Sequence, residues 1–311
     1  DFLKQSNVAA EGTPSPDASD QNRVKYRLPS SPPLVSVIIP TRDRVEVLQR
    51  CITSVTQKTT YPHYEITVID NESELDETAR YLDRINAGRI SVLHAAGPFN
   101  FSALNNLAAK QAKGDFLCLL NNDIEILTPD WLEEMMSVAM QPGVGAVGAR
   151  LWYPRGGLQH GGVVLGIGGV AGHAHKHLKR GCSGYFGRAV LRQEFSAVTA
   201  ACLVVKQQLF LDLGGLDEAL AVTCNDVDFC LRLKRAGFRN IWTPYAEMIH
   251  HESLSRGTDD TPEKHTRSAM EGRLMKQRWG SMLQADNAYS PNLTLEDVDF
   301  GLAWPPRVPP L

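Results

Sequence analysis

No two of the six cysteines (Cys51, Cys118, Cys182, Cys202, Cys224, Cys230) are spaced C-x-x-C, and H-E-x-x-H is missing as well. That argues against a disulfide scaffold and against a zinc hydrolase. Four of the six lie in apolar or periodic stretches, the setting of buried free thiols and of a reducing compartment. The sequence has no run of about 18 apolar residues, so no membrane-spanning helix is expected. It lacks a signal-peptide pattern, and its start at Asp1 reads as a segment of a longer chain. A basic excess is also missing. The net charge is −3, which excludes a broadly basic nucleic-acid surface. The P-loop pattern G-x-x-x-x-G-K-[ST] does not occur. Gly166-Ile167-Gly168 is not placed between a first strand and a helix, so it is no dinucleotide fingerprint. No internal repeat or low-complexity tract is present.

What remains is an ordinary globular composition, 43% hydrophobic and 22% charged over 311 residues. Residues 1–33, rich in Ser, Asp, Gly and Pro, read as a leader or linker. From Leu34 the texture changes. Leu34–Ile39, Tyr64–Ile69, Ile90–Leu93 and Phe116–Leu120 are short apolar runs read as strands. Helical spacing follows each. Ser73, Ser102, Thr128 and Asn225 or Asp226 are the expected helix caps, with Gly237 as a stop and Thr261-Pro262 opening a last helix. Four alternations of strand and helix predict an α/β fold, a mostly parallel sheet with helices on both faces. Ligands bind such sheets beyond the carboxyl ends of the strands. Thr41-Arg42-Asp43, Asp70-Asn71 and Asn121-Asn122-Asp123 all fall there. Residues 156–172 hold eight glycines, and residues 171–193 hold five Lys or Arg with no acid. They read as a mobile basic loop able to close over a ligand. Residues 281–311 read as a Pro-rich tail.

Each polar cluster admits two readings. Asn121-Asn122-Asp123 suits a strand-end turn. It also suits a Mg²⁺ or Mn²⁺ site, because these ions keep waters and take one or two protein carboxylates. Asp70 fits a cap or a partner for a nucleobase or ribose. Arg42 and Arg44 fit phosphate or solvent. Asp226 and Asp228, near a helix start, fit capping or a general base. His250 and His251 are adjacent, so on a strand at most one faces a given ligand. The polar Ser253, Ser255, Arg256 and Gly257 beyond them suit phosphate.

In order, V-S-V-I-I-P-T-R-D-R (35–44), V-I-D-N-E-S (68–73), F-N-F-S-A-L-N-N (99–106), L-L-N-N-D-I-E (119–125), L-G-G-L-D-E (213–218), N-D-V-D-F-C-L-R (225–232) and H-H-E-S-L-S-R-G (250–257) resemble the inverting family 2 glycosyltransferases of the GT-A type. The nearest likeness is to rhamnosyltransferase-like enzymes of bacterial surface-polysaccharide and O-antigen assembly. The resemblance covers about residues 34–280. It implies a GT-A domain there, with a nucleotide-binding half (34–150) and an acceptor half (151–280). It implies a nucleotide site at Pro40, Thr41, Arg42, Asp43, Asp70, Asn105 and Asn122. Asp123 with His250 or His251 would bind Mn²⁺ or Mg²⁺, and spacing favours His250. Asn121 replaces a family Asp. Asp226 would be the general base, with Asn225 in place of the family's Glu. Asn225, Asp228 and Thr199 would contact the acceptor. The implied partners are a nucleotide-sugar donor, dTDP-rhamnose or a UDP-sugar, and a glycan or lipid-linked glycan acceptor. The implied location is cytoplasmic, with residues 171–193 and 264–278 docking at the inner face of the cell membrane. Two other classes compete. A non-catalytic sugar- or nucleotide-binding module would not need Asp226. A nucleotidyltransferase would need a Gly-rich loop after the first strand, where only Thr41-Arg42-Asp43-Arg44 stands.

Overall fold

The computed structural model describes residue 3, residues 8–252 and residues 261–308. The chain opens with a hairpin, β1 (Ala10–Ser15) and β2 (Ala18–Tyr26). The body follows as β3 (Val35–Thr41), α1 (Val45–Lys58), β4 (Tyr64–Asp70), α2 (Asp76–Ile85), β5 (Ile90–His94), α3 (Phe101–Gln111) and β6 (Phe116–Leu120). Next come β7 (Ile124–Ile126), α4 (Trp131–Ala139), β8 (Val144–Trp152), β9 (Leu158–His160), β10 (Val163–Leu165), β11 (Ala171–His173) and β12 (Gln193–Phe195). The chain continues as β13 (Cys202–Lys206), α5 (Gln207–Asp212), α6 (Asn225–Arg235), β14 (Arg239–His250) and α7 (Pro262–Gln284).

The central sheet runs β12-β14-β8-β13-β6-β3-β4-β5, with β7 on β14 and β9 on β8. Strands β5, β4, β3 and β6 are mutually parallel, as the alternating pattern predicts. Strand β13 lies antiparallel between β6 and β8, and β8 and β14 are parallel again. Every residue of β3 is buried. Its side chains alternate between two cores, which is why the run is apolar throughout. Val35, Val37 and Ile39 join α1 and α4 on one face, through Leu48, Cys51, Val55, Trp131 and Met135. Ile38 joins α3 and α6 on the other, through Leu104, Ala108, Phe229 and Leu233.

Four helix starts differ from expectation. Thr128 does not cap α4: its hydroxyl accepts from the Glu247 N–H at 2.9 Å, and α4 begins at Trp131, after Asp130. Asn100, not Ser102, caps α3 by accepting from the Ala103 N–H at 3.0 Å. Ser102 donates to the Leu220 carbonyl instead. Ser73 accepts from the Asp43 N–H, and α2 begins three residues later. Cys224, in the left-handed region at φ 61°, precedes α6, so both Asn225 and Asp226 lie inside its first turn. Thr261 does cap α7. The leader differs as well, since residues 10–26 form the hairpin rather than a bare linker.

The glycine-rich segment is also not a plain loop. It folds into β9, β10 and β11, and Gln159, His160, Val163 and Val164 are buried. The glycines make turns between very short strands. At Gly162 (φ +97°) a Cβ would collide with the Phe195 ring. Glycine here follows from close packing and positive φ rather than from mobility.

Candidate active site

A cleft of about 550 Å³ opens at the carboxyl ends of β3 and β6. Its lining includes Pro40, Thr41, Arg42, Asp43, Asn122, Thr199, Asn225, Asp226 and His250, so nine of the expected site residues meet at one place. The first wall is the turn after β3. Asp43 and Arg44 both have positive φ, 48° and 54°. Asp43 Oδ1 accepts from the Glu74 and Leu75 N–H groups at 3.0 Å each, which ties this turn to the one after β4. Arg42 is paired with Glu74 at 2.6 Å. Asn122 donates to the Thr41 hydroxyl at 3.0 Å, joining the β3 and β6 ends. Asp70 ends the neighbouring strand, where it accepts from the Ser73 N–H and meets His94 Nδ1 at 3.1 Å. It does not line the cleft. Asn105 also fails to reach it, being fully buried on α3 and bonded to the Phe101 carbonyl.

The second wall brings Asp123 and His250 together. Strand β14 pairs with β7, setting His250 opposite Ile124. That register places His250 Nε2 3.1 Å from Asp123 Oδ1, with both residues buried. The Asn121 amide lies 3.3 Å from the same nitrogen. His251 points away, to Glu125 at 3.0 Å and toward Arg50. Of the two adjacent imidazoles, only that of His250 meets the Asp123 carboxylate; the His251 backbone N–H donates to the Asp123 carbonyl at 2.9 Å. Among the described residues no group of three or more His, Cys, Asp or Glu forms a metal cage. One carboxylate oxygen facing one imidazole nitrogen is a fitting protein share for Mg²⁺ or Mn²⁺, whose remaining ligands are waters and substrate phosphates. Residues 253–257 lie outside the described residues.

Asp226 forms the third wall. Its Oδ2 accepts from the Ala200 N–H at 3.0 Å and its Oδ1 from the Val227 N–H at 2.8 Å. The carboxylate is therefore fixed at the start of α6 yet faces the cleft. Asn225 donates to the Leu220 and Val222 carbonyls and shapes the adjoining turn. Thr199 Oγ1 accepts from the Ala201 N–H. Asp228, expected at the acceptor, is fully buried and bonded to Arg232, Arg278 and Trp279. It belongs to the core under the site.

Sequence reasoning passed over Gln159, His160 and His173. His160 Nδ1 and His173 Nδ1 are 2.7 Å apart, and the Thr199 N–H reaches His160 Nε2 at 3.4 Å. Thr199 donates to Nε2, so the His160 proton sits on Nδ1 and is donated to His173. His173 then carries its own proton on Nε2. Burial holds His160 well below the usual histidine range, reinforced by His173 and His250. His173 is also lowered, chiefly by burial, with the Asp226 charge opposing. His173 lines the cleft. The only signal in the sequence was the presence of histidines among glycines.

A family model, Glycosyl transferase family 2, matches residues 36–197. An uncharacterised protein of Sinorhizobium fredii is 50% identical over 276 residues, spanning 88% of this chain and 30% of that protein. The O-antigen biosynthesis protein RfbC of Myxococcus xanthus is 38% identical over 307 residues, spanning 98% of this chain and 24% of that protein. The chain thus spans less than a third of either relative. Among solved structures, GalNAc-T7 with UDP, GalNAc and Mn²⁺ superposes with a TM-score of 0.61 at 13% identity, covering 84% of this chain and 59% of that one.

Proposed function

Because this chain belongs to glycosyltransferase family 2 and has the α/β fold of the GT-A glycosyltransferases, we propose that it is an inverting, metal-dependent glycosyltransferase. It moves a sugar from a nucleotide-diphosphate donor, dTDP-rhamnose or a UDP-sugar, to a hydroxyl of a glycan acceptor in bacterial polysaccharide synthesis. The observation that carries the proposal is the meeting in one cleft of the β3 and β6 strand ends, the anchored Asp226 and His250, whose Nε2 lies 3.1 Å from the buried Asp123 carboxylate. The O-antigen biosynthesis relative supports the polysaccharide context.

Thr41, Arg42, Asp43 and Asn122 hold the nucleotide at the strand ends. Asp123 and His250 hold the divalent cation. When bound, the cation supplies charge neutralisation at the leaving diphosphate. Asp226 accepts the proton of the acceptor hydroxyl as its oxygen attacks the anomeric carbon. One displacement opposite the leaving group inverts the configuration. The two backbone N–H groups on Asp226 fix its orientation, so its free lone pairs are aimed before substrate arrives. Starting twelve residues after the end of β14, α7 brings Lys264 and Arg267 to the same cleft, and their charge suits a diphosphate.

Titration calorimetry of UDP, dTDP and GDP with and without Mn²⁺ tests this reading. One diphosphate should bind in a metal-dependent way. Asp123→Ala should lose that binding, and Asp226→Asn should keep it. In the transfer assay Asp226→Asn should lower kcat about 10²–10⁴-fold, the usual share of a general base. Failure of folded protein to bind any of the three would overturn the transferase reading in favour of a binding module with a different ligand.

A further inference from the structure

Gln159 is a long polar side chain only 4% exposed, placed on the three-residue strand β9 beside His250. Both ends of its amide have partners. Gln159 Nε2 donates to Glu252 Oε2 at 2.9 Å. Gln159 Oε1 lies 2.8 Å from His250 Nδ1. A carboxylate only accepts, so Glu252 decides which way the amide faces. The amide oxygen must then point at His250, and an oxygen there requires the proton on Nδ1. The neutral ring consequently carries its lone pair on Nε2, the nitrogen 3.1 Å from Asp123. Without a cation the Asn121 amide, at 3.3 Å, is placed to donate to that same lone pair, a bond that cation binding would replace. The opposite tautomer would point an N–H at Asp123 and leave no ligand nitrogen there.

We propose that Gln159, oriented by Glu252, is a positioning residue that locks His250 in its Nδ1–H tautomer and so sets the affinity of the Asp123–His250 pair for a divalent cation. The inference rests on the metal reading given under the proposed function. Partners of this kind behind a ligating histidine are typically worth 10–100-fold in metal affinity. Glutamine suits position 159 because a carboxylate there would face Glu252, and leucine would leave Nδ1 without an acceptor.

The experiment pairs two readouts on metal-free and loaded protein. Long-range ¹H–¹⁵N NMR of histidine-labelled protein, with His250→Gln for assignment, reports the tautomer. Calorimetry with Mn²⁺ alone and with Mn²⁺ plus UDP, dTDP or GDP reports affinity. Wild type should show a protonated Nδ1 and an unprotonated Nε2. Gln159→Leu should mix the tautomers and weaken Mn²⁺ binding 10–100-fold. Glu252→Gln, at an exposed residue, should give a smaller loss in the same direction and serves if Gln159→Leu does not fold. The exchanged pair Gln159→Glu with Glu252→Gln keeps the total charge and again places a sole acceptor on Nδ1. It should restore affinity to within a few-fold of wild type. Folded Gln159→Leu, or failing that Glu252→Gln, with wild-type tautomer and Mn²⁺ affinity overturns the proposal. A wild type that shows the Nδ1–H tautomer yet binds no Mn²⁺ with any diphosphate overturns the metal reading itself, and with it the affinity half of the inference, while the tautomer lock stands.

Discussion

Asp226 and Asp228 are two residues apart, and their fates are opposite. On a helix, residues i and i+2 do not share a face. Once α6 begins at Asn225, placing Asp226 on the cleft turns Asp228 into the core. There it accepts from Arg278 Nη1 at 2.7 Å, Trp279 Nε1 at 2.9 Å and Arg232 Nε at 2.8 Å. Arg232 in turn donates to the Leu213 and Gly215 carbonyls. Asp228 therefore joins α6, α7 and the turn at 213–215. Asp228→Ala should cost about 1–3 kcal/mol in a urea unfolding measurement, since it leaves the buried Trp279 indole N–H without an acceptor and removes the partner that Arg232 and Arg278 share. In the fraction that stays folded, acceptor KM should stay within about twofold of wild type, because uniform binding changes only when a substrate contact is removed. The sequence offered two acids near a helix start and the motif favoured both for the site; only helix phase separates them. Asp123, His250 and Asp226 were legible because their motifs sit at ends of strongly patterned elements. Gln159, His160 and His173 were not, because three-residue strands between glycines carry no periodicity to reveal which side chains turn inward.

At the scale of elements, the hairpin β1–β2 shows how an ionic contact can dock a segment that composition reads as a linker. Its strands are mostly exposed, so no apolar alternation marks them. Arg23 meets Glu134 of α4 at 2.8 Å and lies over the Tyr245 ring of β14 at 4.3 Å, and Asp17 in the hairpin turn accepts from Arg150 of β8 at 2.7 Å. Glu134, fully buried, also accepts from Arg192 at 2.6 Å and from the Thr243 hydroxyl at 2.7 Å. One carboxylate thus ties the hairpin, α4, β14 and the segment before β12. Burial alone would raise its pKa. The Arg192 charge and the bonds from Thr243, Arg192 and Arg23 outweigh that and hold it below its ordinary 4.5. A depressed carboxylate stabilises the fold above its unfolded value, and the contribution is lost as pH falls through the folded one. Glu134→Gln should therefore cost about 3–5 kcal/mol near neutral pH. In paired urea titrations the gap between wild type and variant should narrow as pH drops below 4.5. A gap independent of pH would mean that shape, not charge, makes the Glu134 contact. The same scale explains the antiparallel β13. Four strand–helix alternations announce parallel strands, but nothing in the short apolar run at 202–206 states its direction. That is fixed by the connection from the cleft wall at 199–201.

For the whole molecule, two cores press on the central sheet from either side, and the cysteines report on both. Cys51, Cys118 and Cys202 lie in the core beside α1 and α4, and Cys230 in the core beside α3 and α6. All six are free thiols, and only Cys182 is exposed. Burial, then the neighbouring charges of Asp226 and Glu271, push Cys224 up to about 12. Burial, only partly offset by the Val198 backbone bond, does the same for Cys230. The thiolate is the reactive form, so these residues are protected both by access and by protonation. A disulfide reagent at pH 8 should then titrate about one thiol quickly in native protein, and Cys182→Ser should remove that phase. In denaturant all six should react. The slow native phases should follow the opening of the cores, and their rates should rise with urea in step with global unfolding where opening is global rather than local. Ligand that binds only the folded state lowers the open population by its own binding term. Mn²⁺ with the matching nucleoside diphosphate should accordingly slow the phases of the buried thiols and leave the Cys182 phase unchanged. A second fast thiol in native protein would show that one face of the sheet opens independently of the other, and its identity by mass mapping would say which.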